Sequence, residues 1–332
     1  MNVPDAVAAV VAHEFPDSDV RAVERLAGGC KDTYRVGLGD RAVVVAFPRE
    51  AWYARQFALE PALMRLVRRE TTLPVPRVLA SDVSGRVGRP YHVTAAIDAA
   101  DLDGRFASLP RETQVTLLEA AGRALAELHD EVRFDAVGPL VAVDTDRGVA
   151  VDPRPSWPAF LGELVDTWLA ELDGSRFSDL TATFERALTP ASFLSLAPEP
   201  VCLHFDYAPG NLLARGDDLV GVVDWGFAVA GHAEYDLFEF EKNVLLGQFD
   251  SPAVRDELRP HVYAGYRDVR GFEPGWERRR AFYRVAYKLA SMRSFHRWAG
   301  DRSDDARDDL ARRLRSELEA DLDRLRRHER DT

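Results

Sequence analysis

The segment His204-Phe205-Asp206-Tyr207-Ala208-Pro209-Gly210-Asn211 puts an acid and an amide on one short turn, and Val222-Val223-Asp224-Trp225 adds a second acid thirteen residues past Asn211. An aspartate five residues before an asparagine can accept a hydroxyl proton while the asparagine offers a neutral oxygen to a metal ion. Asp224 closes the apolar run Leu219-Val220-Gly221-Val222-Val223, so a strand would deliver its carboxylate to the same ion. One base at Asp206, two oxygen ligands for Mg²⁺ at Asn211 and Asp224, and a rigid support are the parts that phosphoryl transfer needs. By spacing alone the same residues also read as a turn with a capping aspartate and asparagine.

The support has to come from the surrounding elements. After one opening helix, the first hundred residues are strand-rich: Val20 to Leu26, Thr33 to Val36, the β-branched run Arg41 to Phe47, Val78-Leu79 and Tyr91 to Thr94. Gly28-Gly29 and Gly37-Leu38-Gly39-Asp40 mark turns between them, and a helical pattern fills Trp52 to Arg69. The polar stretch Asp98 to Gly104 predicts a hinge, dividing the chain into residues 1–97 and 98–332. Beyond it helices dominate. Val115, Leu118, Ala121, Leu125 and Leu128 recur on one face of Arg111 to His129. A loop of about two dozen residues follows, through Gly138-Pro139 and a proline cluster. Further helices are expected at Trp157–Leu172, Phe177–Leu188, Tyr235–Leu246, Ala253–Arg267 and Trp276–Trp298. The tail carries Leu310, Leu314, Leu318 and Leu322 on one face, to pack on the larger lobe or on a second subunit; the chain is expected to be a monomer or a homodimer.

Composition narrows the function classes. A chain of 332 residues with 46% apolar content can bury one large or two modest cores. Its formal net charge of −12 argues against nucleic acid or an anionic membrane as the main partner. Cys30 and Cys202 match no metal-ligand spacing and read as free thiols of a reducing compartment. Asp5 precedes the apolar stretch Ala6 to Ala12, which reads as a surface helix, and no run of 18 apolar residues occurs. The expected location is the cytoplasm.

At the catalytic-loop residues the chain resembles the aminoglycoside phosphotransferase family, small-molecule kinases of the protein-kinase-like fold. The family pattern H-x-D-x-x-x-x-N, an apolar strand ending in D-W, and a downstream glycine with a Y-D pair are matched by His204, Asp206, Asn211, Asp224-Trp225, Gly231 and Tyr235-Asp236. The resemblance implies an α+β fold, with a small N-terminal antiparallel-sheet lobe and a larger, mostly helical C-terminal lobe. It implies ATP or GTP as phosphate donor, Mg²⁺ as cofactor, and a hydroxyl of a small polar molecule as acceptor. His204 then braces the loop, Asp236 ties it down, and the backbone from Ala95 to Ile97 reads the nucleotide base.

In the smaller lobe Gly28-Gly29-Cys30-Lys31 resembles the family's short phosphate-covering turn, and Glu60 matches the acid that pairs with a basic residue on the third strand. Here the chain departs from the pattern: Ala46 stands where that basic residue is expected, and Lys31 or Arg49 would have to reach in instead. The gap raises a second reading, a nucleotide-binding protein with little turnover. Acceptor contacts are expected from the larger lobe, where Glu163, Asp166, Glu234, Glu239 and Glu241 would suit an amine-bearing substrate.

Overall fold

A computed structural model describes residues 4–26, 29–189 and 199–330. Helix α1 (Asp5–Glu14) is followed by strands β1 (Val20–Leu26), β2 (Lys31–Leu38) and β3 (Arg41–Pro48), an antiparallel meander. After a 3₁₀ turn at Ala51–Tyr53 come α2 (Ala54–Glu70), β4 (Val78–Asp82) and β5 (Tyr91–Ala95), completing a sheet of order β1-β2-β3-β5-β4. Side-chain alternation gives β3 two different faces. Val43, Val45 and Phe47 pack under Val7, Val10 and Val11 of α1, whereas Ala46 turns to the opposite face with Tyr53 and Phe57. The α1 stretch is thus a surface helix with a buried stripe.

The expected hinge is already paired. Within Asp98–Gly104, β6 (Ala100–Asp101) bonds to β10 (Leu212–Arg215), which in turn forms a hairpin with β11 (Asp218–Val222). Helix α3 (Arg111–Glu131) runs through the core behind this hairpin. The long loop expected next instead contains a hairpin, β7 (Gly138–Ala142) and β8 (Val149–Val151), joined to β12 (Val229–Gly231) and β9 (Val201–Leu203) in the order β8-β7-β12-β9. Short strands with a proline carry little periodic signal. What fixes this hairpin is glycine: Gly148 turns it at φ +73°, and a Cβ on Gly138 would lie 2.2 Å from the Asp152 carbonyl oxygen.

The remaining helices are α4 (Trp157–Asp173), α5 (Thr181–Leu188), α6 (Ala233–Glu241), α7 (Pro252–Arg267), α8 (Trp276–Arg293), the short α9 (Phe295–Trp298) and α10 (Asp304–Arg330). Helix α6 does not stop at Glu241 but continues as a π-helical turn, Lys242–Leu246. The single helix expected over Trp276–Trp298 is broken at Ser294. Its hydroxyl donates to the Ala290 carbonyl and the Trp298 indole to the Ser291 carbonyl, so side chains take the acceptors of the last turn. Helices α3 and α7 touch through glycine, since a Cβ on Gly265 would meet the Glu119 carbonyl oxygen at 1.9 Å. The leucine stripe of α10 is covered within the chain: Leu314, Leu318, Leu322 and Leu325 are buried against the larger core. Among the described residues no helix is long and apolar enough to cross a membrane.

Candidate active site

Strand β9 ends at Leu203, and the chain turns at Phe205 with φ +64°, a conformation a bulky side chain reaches only when held there. Asp236, wholly buried at the start of α6, does the holding. Its two carboxylate oxygens accept from the backbone N–H groups of His204 (2.6 Å) and Phe205 (2.8 Å). His129, at the end of α3, lies 3.4 Å from the same carboxylate and 2.8 Å from the Tyr266 hydroxyl. Burial is the main influence on the His129 ring and lowers its pKa. His204 is fully buried, packed at a tilt against Trp225 with ring centroids 4.6 Å apart, and its Nε2 meets the Val223 carbonyl at 3.0 Å. The ring therefore ties the loop to the residue just before Asp224.

Asn211 closes the loop. Its Nδ2 donates to the Asp206 carbonyl (2.8 Å) and to the Asp206 carboxylate (3.0 Å), while its own backbone carbonyl accepts from the N–H of Val223 (3.0 Å). With the amide nitrogen committed to Asp206, the side-chain oxygen is left as a possible ligand. Asp224 follows Val223 at φ +65°, a left-handed position that aspartate tolerates better than most residues. Asp206, Asn211 and Asp224 are thereby brought together through two hydrogen-bonded links. Burial dominates the Asp206 carboxyl and, with nearby Asp224 and Glu239, raises its pKa against the opposing pull of His204 and the Asn211 amide.

Lys31 occupies the place beside Glu60 that Ala46 cannot fill. In the β2–β3 ladder Ala46 sits opposite Thr33, and Lys31 sits opposite Pro48. From there the Lys31 ammonium reaches both Glu60 oxygens (2.8 and 2.9 Å) and Asp224 Oδ1 (2.9 Å). Burial works against its charge, but Glu60 and Asp224 outweigh burial and raise its pKa. Burial likewise pushes the Glu60 carboxyl up, and the charges of Lys31 and His92 reverse that, leaving it well below the usual carboxylate range. Arg49 is not the substitute: its guanidinium donates to the carbonyls of Gly29 (2.9 Å) and Lys31 (3.2 Å) and to Asp32, bracing the turn from outside. Tyr53 was not foreseen as a site residue. Its hydroxyl lies 3.4 Å from Asp224 Oδ1, directly over Gly226, where a Cβ would approach it to 2.1 Å. Only the tight D-W-G-F spacing hints at so close an approach.

The expected nucleotide contacts are less complete. Gly28 lies outside the described residues, and Gly29 sits in an open bend where a Cβ would meet nothing within 4 Å. The Ala95 N–H donates to the Arg77 carbonyl (2.9 Å), and the Ile97 carbonyl accepts from Arg35 (3.3 Å), so these two groups are already engaged. The Ile97 side chain packs toward Gly221 on β11.

Among the described residues no cluster of three His, Cys, Asp or Glu side chains could enclose an ion unaided. The donors present nevertheless suit Mg²⁺, a hard cation that protein sites hold by one or two oxygens, with phosphate and water completing the shell. Asn211 and Asp224 would be those two oxygens.

A model described as "Phosphotransferase enzyme family" matches residues 22–282. Among solved structures, a candidate aminoglycoside phosphotransferase of Ralstonia eutropha JMP134 is 16% identical, with a TM-score of 0.68 over 97% of this chain and 98% of that one. Aminoglycoside phosphotransferase APH(4)-Ia is 18% identical, with a TM-score of 0.65 over 96% and 98%. A macrolide 2′-phosphotransferase of Brachybacterium faecium is 17% identical, with a TM-score of 0.61 over 94% and 98%. A thermostable mutant of APH(4)-Ia has been solved as a ternary complex with AMP-PNP and hygromycin B. At these identities the likeness is one of fold.

Proposed function

The chain belongs to the phosphotransferase enzyme family, and from that membership we propose that it transfers the γ-phosphate of ATP or GTP to a hydroxyl of a small molecule. The observation that carries this reading is the continuous set of contacts from Asp206 through Asn211 and Val223 to Asp224, and on to Lys31 and Glu60. Asp206 orients the acceptor hydroxyl and takes its proton as the acceptor oxygen bonds to the γ-phosphorus and the bond to the leaving nucleoside diphosphate breaks. Lys31, positioned by Glu60, sets a fixed positive charge beside the phosphates. Mg²⁺, held by Asn211 and Asp224, neutralises phosphate charge when bound. Because Lys31 supplies the cation that Ala46 cannot, the case for a binding protein without turnover loses its main support.

Antibiotic acceptors and metabolic ones such as choline, sugars or amino acids all fit this reaction. The deciding experiment couples nucleoside diphosphate release to a spectroscopic readout across aminoglycosides, macrolides, sugars and amino alcohols. Phosphorylation of one class by the wild-type chain, with at least a ~10²-fold loss in Asp206→Ala, is the expected result. Turnover that survives Asp206→Ala unchanged would remove the proposed base.

A further inference from the structure

The residue before Asp206 lines a cleft of about 390 Å³, within the range of small-molecule sites. Its walls are aromatic: Phe205, which precedes the base, Tyr235 stacked on it at 5.0 Å between centroids, and Trp168, Tyr287 and Trp298. Trp298, 43% exposed, completes the lining. The charged part of the lining is one internal pair. Lys242 donates to Glu239 at 2.7 Å and rests its ammonium 4.1 Å above the Tyr287 ring, with both residues buried. Lys242 also opens the π-helical turn after α6, a local departure common at functional sites.

The other acids expected to greet an amine are absent from this lining. Glu234 is buried against Arg279 (2.5 and 2.7 Å), and Glu241 is taken by Arg259, Arg280 and the Tyr263 hydroxyl. Glu163 accepts from Arg154 at 2.8 Å, and Asp166 faces solvent on α4. A cleft with aromatic walls and a self-neutralised charge pair repays burial of apolar surface and offers a polycation nothing to pair with.

Resting on the phosphotransferase reading, we propose that this cleft is the acceptor subsite and that it selects hydroxyl compounds with an apolar face and a single amine over polyamine sugars. With the Lys242 ammonium already paired to Glu239 and seated over Tyr287, the cleft holds no free acid, and each further amine on an acceptor adds an uncompensated cation. Lys242 is then the residue that sets charge selectivity: removing its charge exposes Glu239 to the ligand.

The test is calorimetric titration of the full chain with propranolol and erythromycin, which carry one amine each, and with the polyamines kanamycin and neomycin. AMP-PNP with Mg²⁺ is titrated in parallel. Wild-type protein is expected to bind a monoamine at least ~10-fold more tightly than either polyamine, a preference equivalent to one fully used contact. Lys242→Gln should tighten amine binding, the polyamines included, and Trp298→Ala, at an exposed position, should weaken the monoamine several-fold. Equal or tighter binding of kanamycin to the wild type overturns the proposal, as does indifference of amine affinity to Lys242→Gln. Binding of AMP-PNP without either monoamine overturns it too, while leaving the phosphotransferase reading intact. Failure of AMP-PNP itself to bind strikes that reading instead.

Discussion

At single residues stability and chemistry run together in one case and against each other in another. Lys31→Ala leaves Glu60 buried beside His92 without its main cation, which costs about 3 kcal/mol in stability. In the proposed reaction it also removes charge from the phosphates, so turnover should fall by roughly 10²–10³-fold. Thermal melting and steady-state kinetics on one preparation check both halves. Asp206 behaves oppositely. A carboxyl whose folded pKa is raised contributes stability only at low pH and loses it as pH rises through that pKa, so near neutrality its charge is a burden. Asp206→Asn should abolish phosphorylation yet raise the melting temperature by about 1–3 °C; a drop in melting temperature would contradict the assignment. Both residues could be named from the sequence because the turns that carry them are defined by local spacing. That Lys31 and not Arg49 meets Glu60 was not legible, since the choice depends on which side of a ladder each side chain leaves.

Among elements, the entry to α2 meets the turn after β11 at Tyr53, which lies over Gly226 and packs on Phe227. Gly226→Ala should push Tyr53 off Asp224 and lower stability by about 1–3 kcal/mol. Tyr53→Phe in the same chain removes the 2.1 Å clash with the hydroxyl but keeps the ring carbon 3.0 Å away, so rescue should be partial. A double-mutant cycle by chemical denaturation reads the coupling; strict additivity would mean that Gly226 is not there to admit Tyr53. Strong periodicity made α3 and the β2–β3 meander readable. The β7–β8 hairpin was not, because its strands are short and its geometry rests on glycines that have no period. The break at Ser294 was hidden for a related reason: it follows from side chains capturing carbonyls, which apolar spacing does not encode.

At the scale of the whole molecule, burial and ion pairing join the tail to the rest of the chain. The stripe on α10 is covered by the chain itself, and Arg284 and Lys288 of α8 reach across to Asp321 and Glu317. Light scattering should therefore give the mass of one chain, and deletion of residues 304–330 should leave an insoluble or markedly destabilised protein. His232 supplies a pH dependence. Burial, then Arg279 and Arg270, lowers its pKa from 6.5 to about 3. Its stabilising effect is thus complete above pH ~6.5 and drains away as acidity increases, by up to about 1.4 kcal/mol per pH unit. Denaturation profiles between pH 7 and 4 should be flatter in His232→Phe. The position of Lys31 at the root of β2 has a consequence beyond this chain. Sorting kinase genes into working and defunct by one column of the third strand would discard this protein, although its ammonium arrives from the neighbouring strand, about 4.8 Å away. Reach across a rung is the property to examine before a phosphate-handling site is declared extinct.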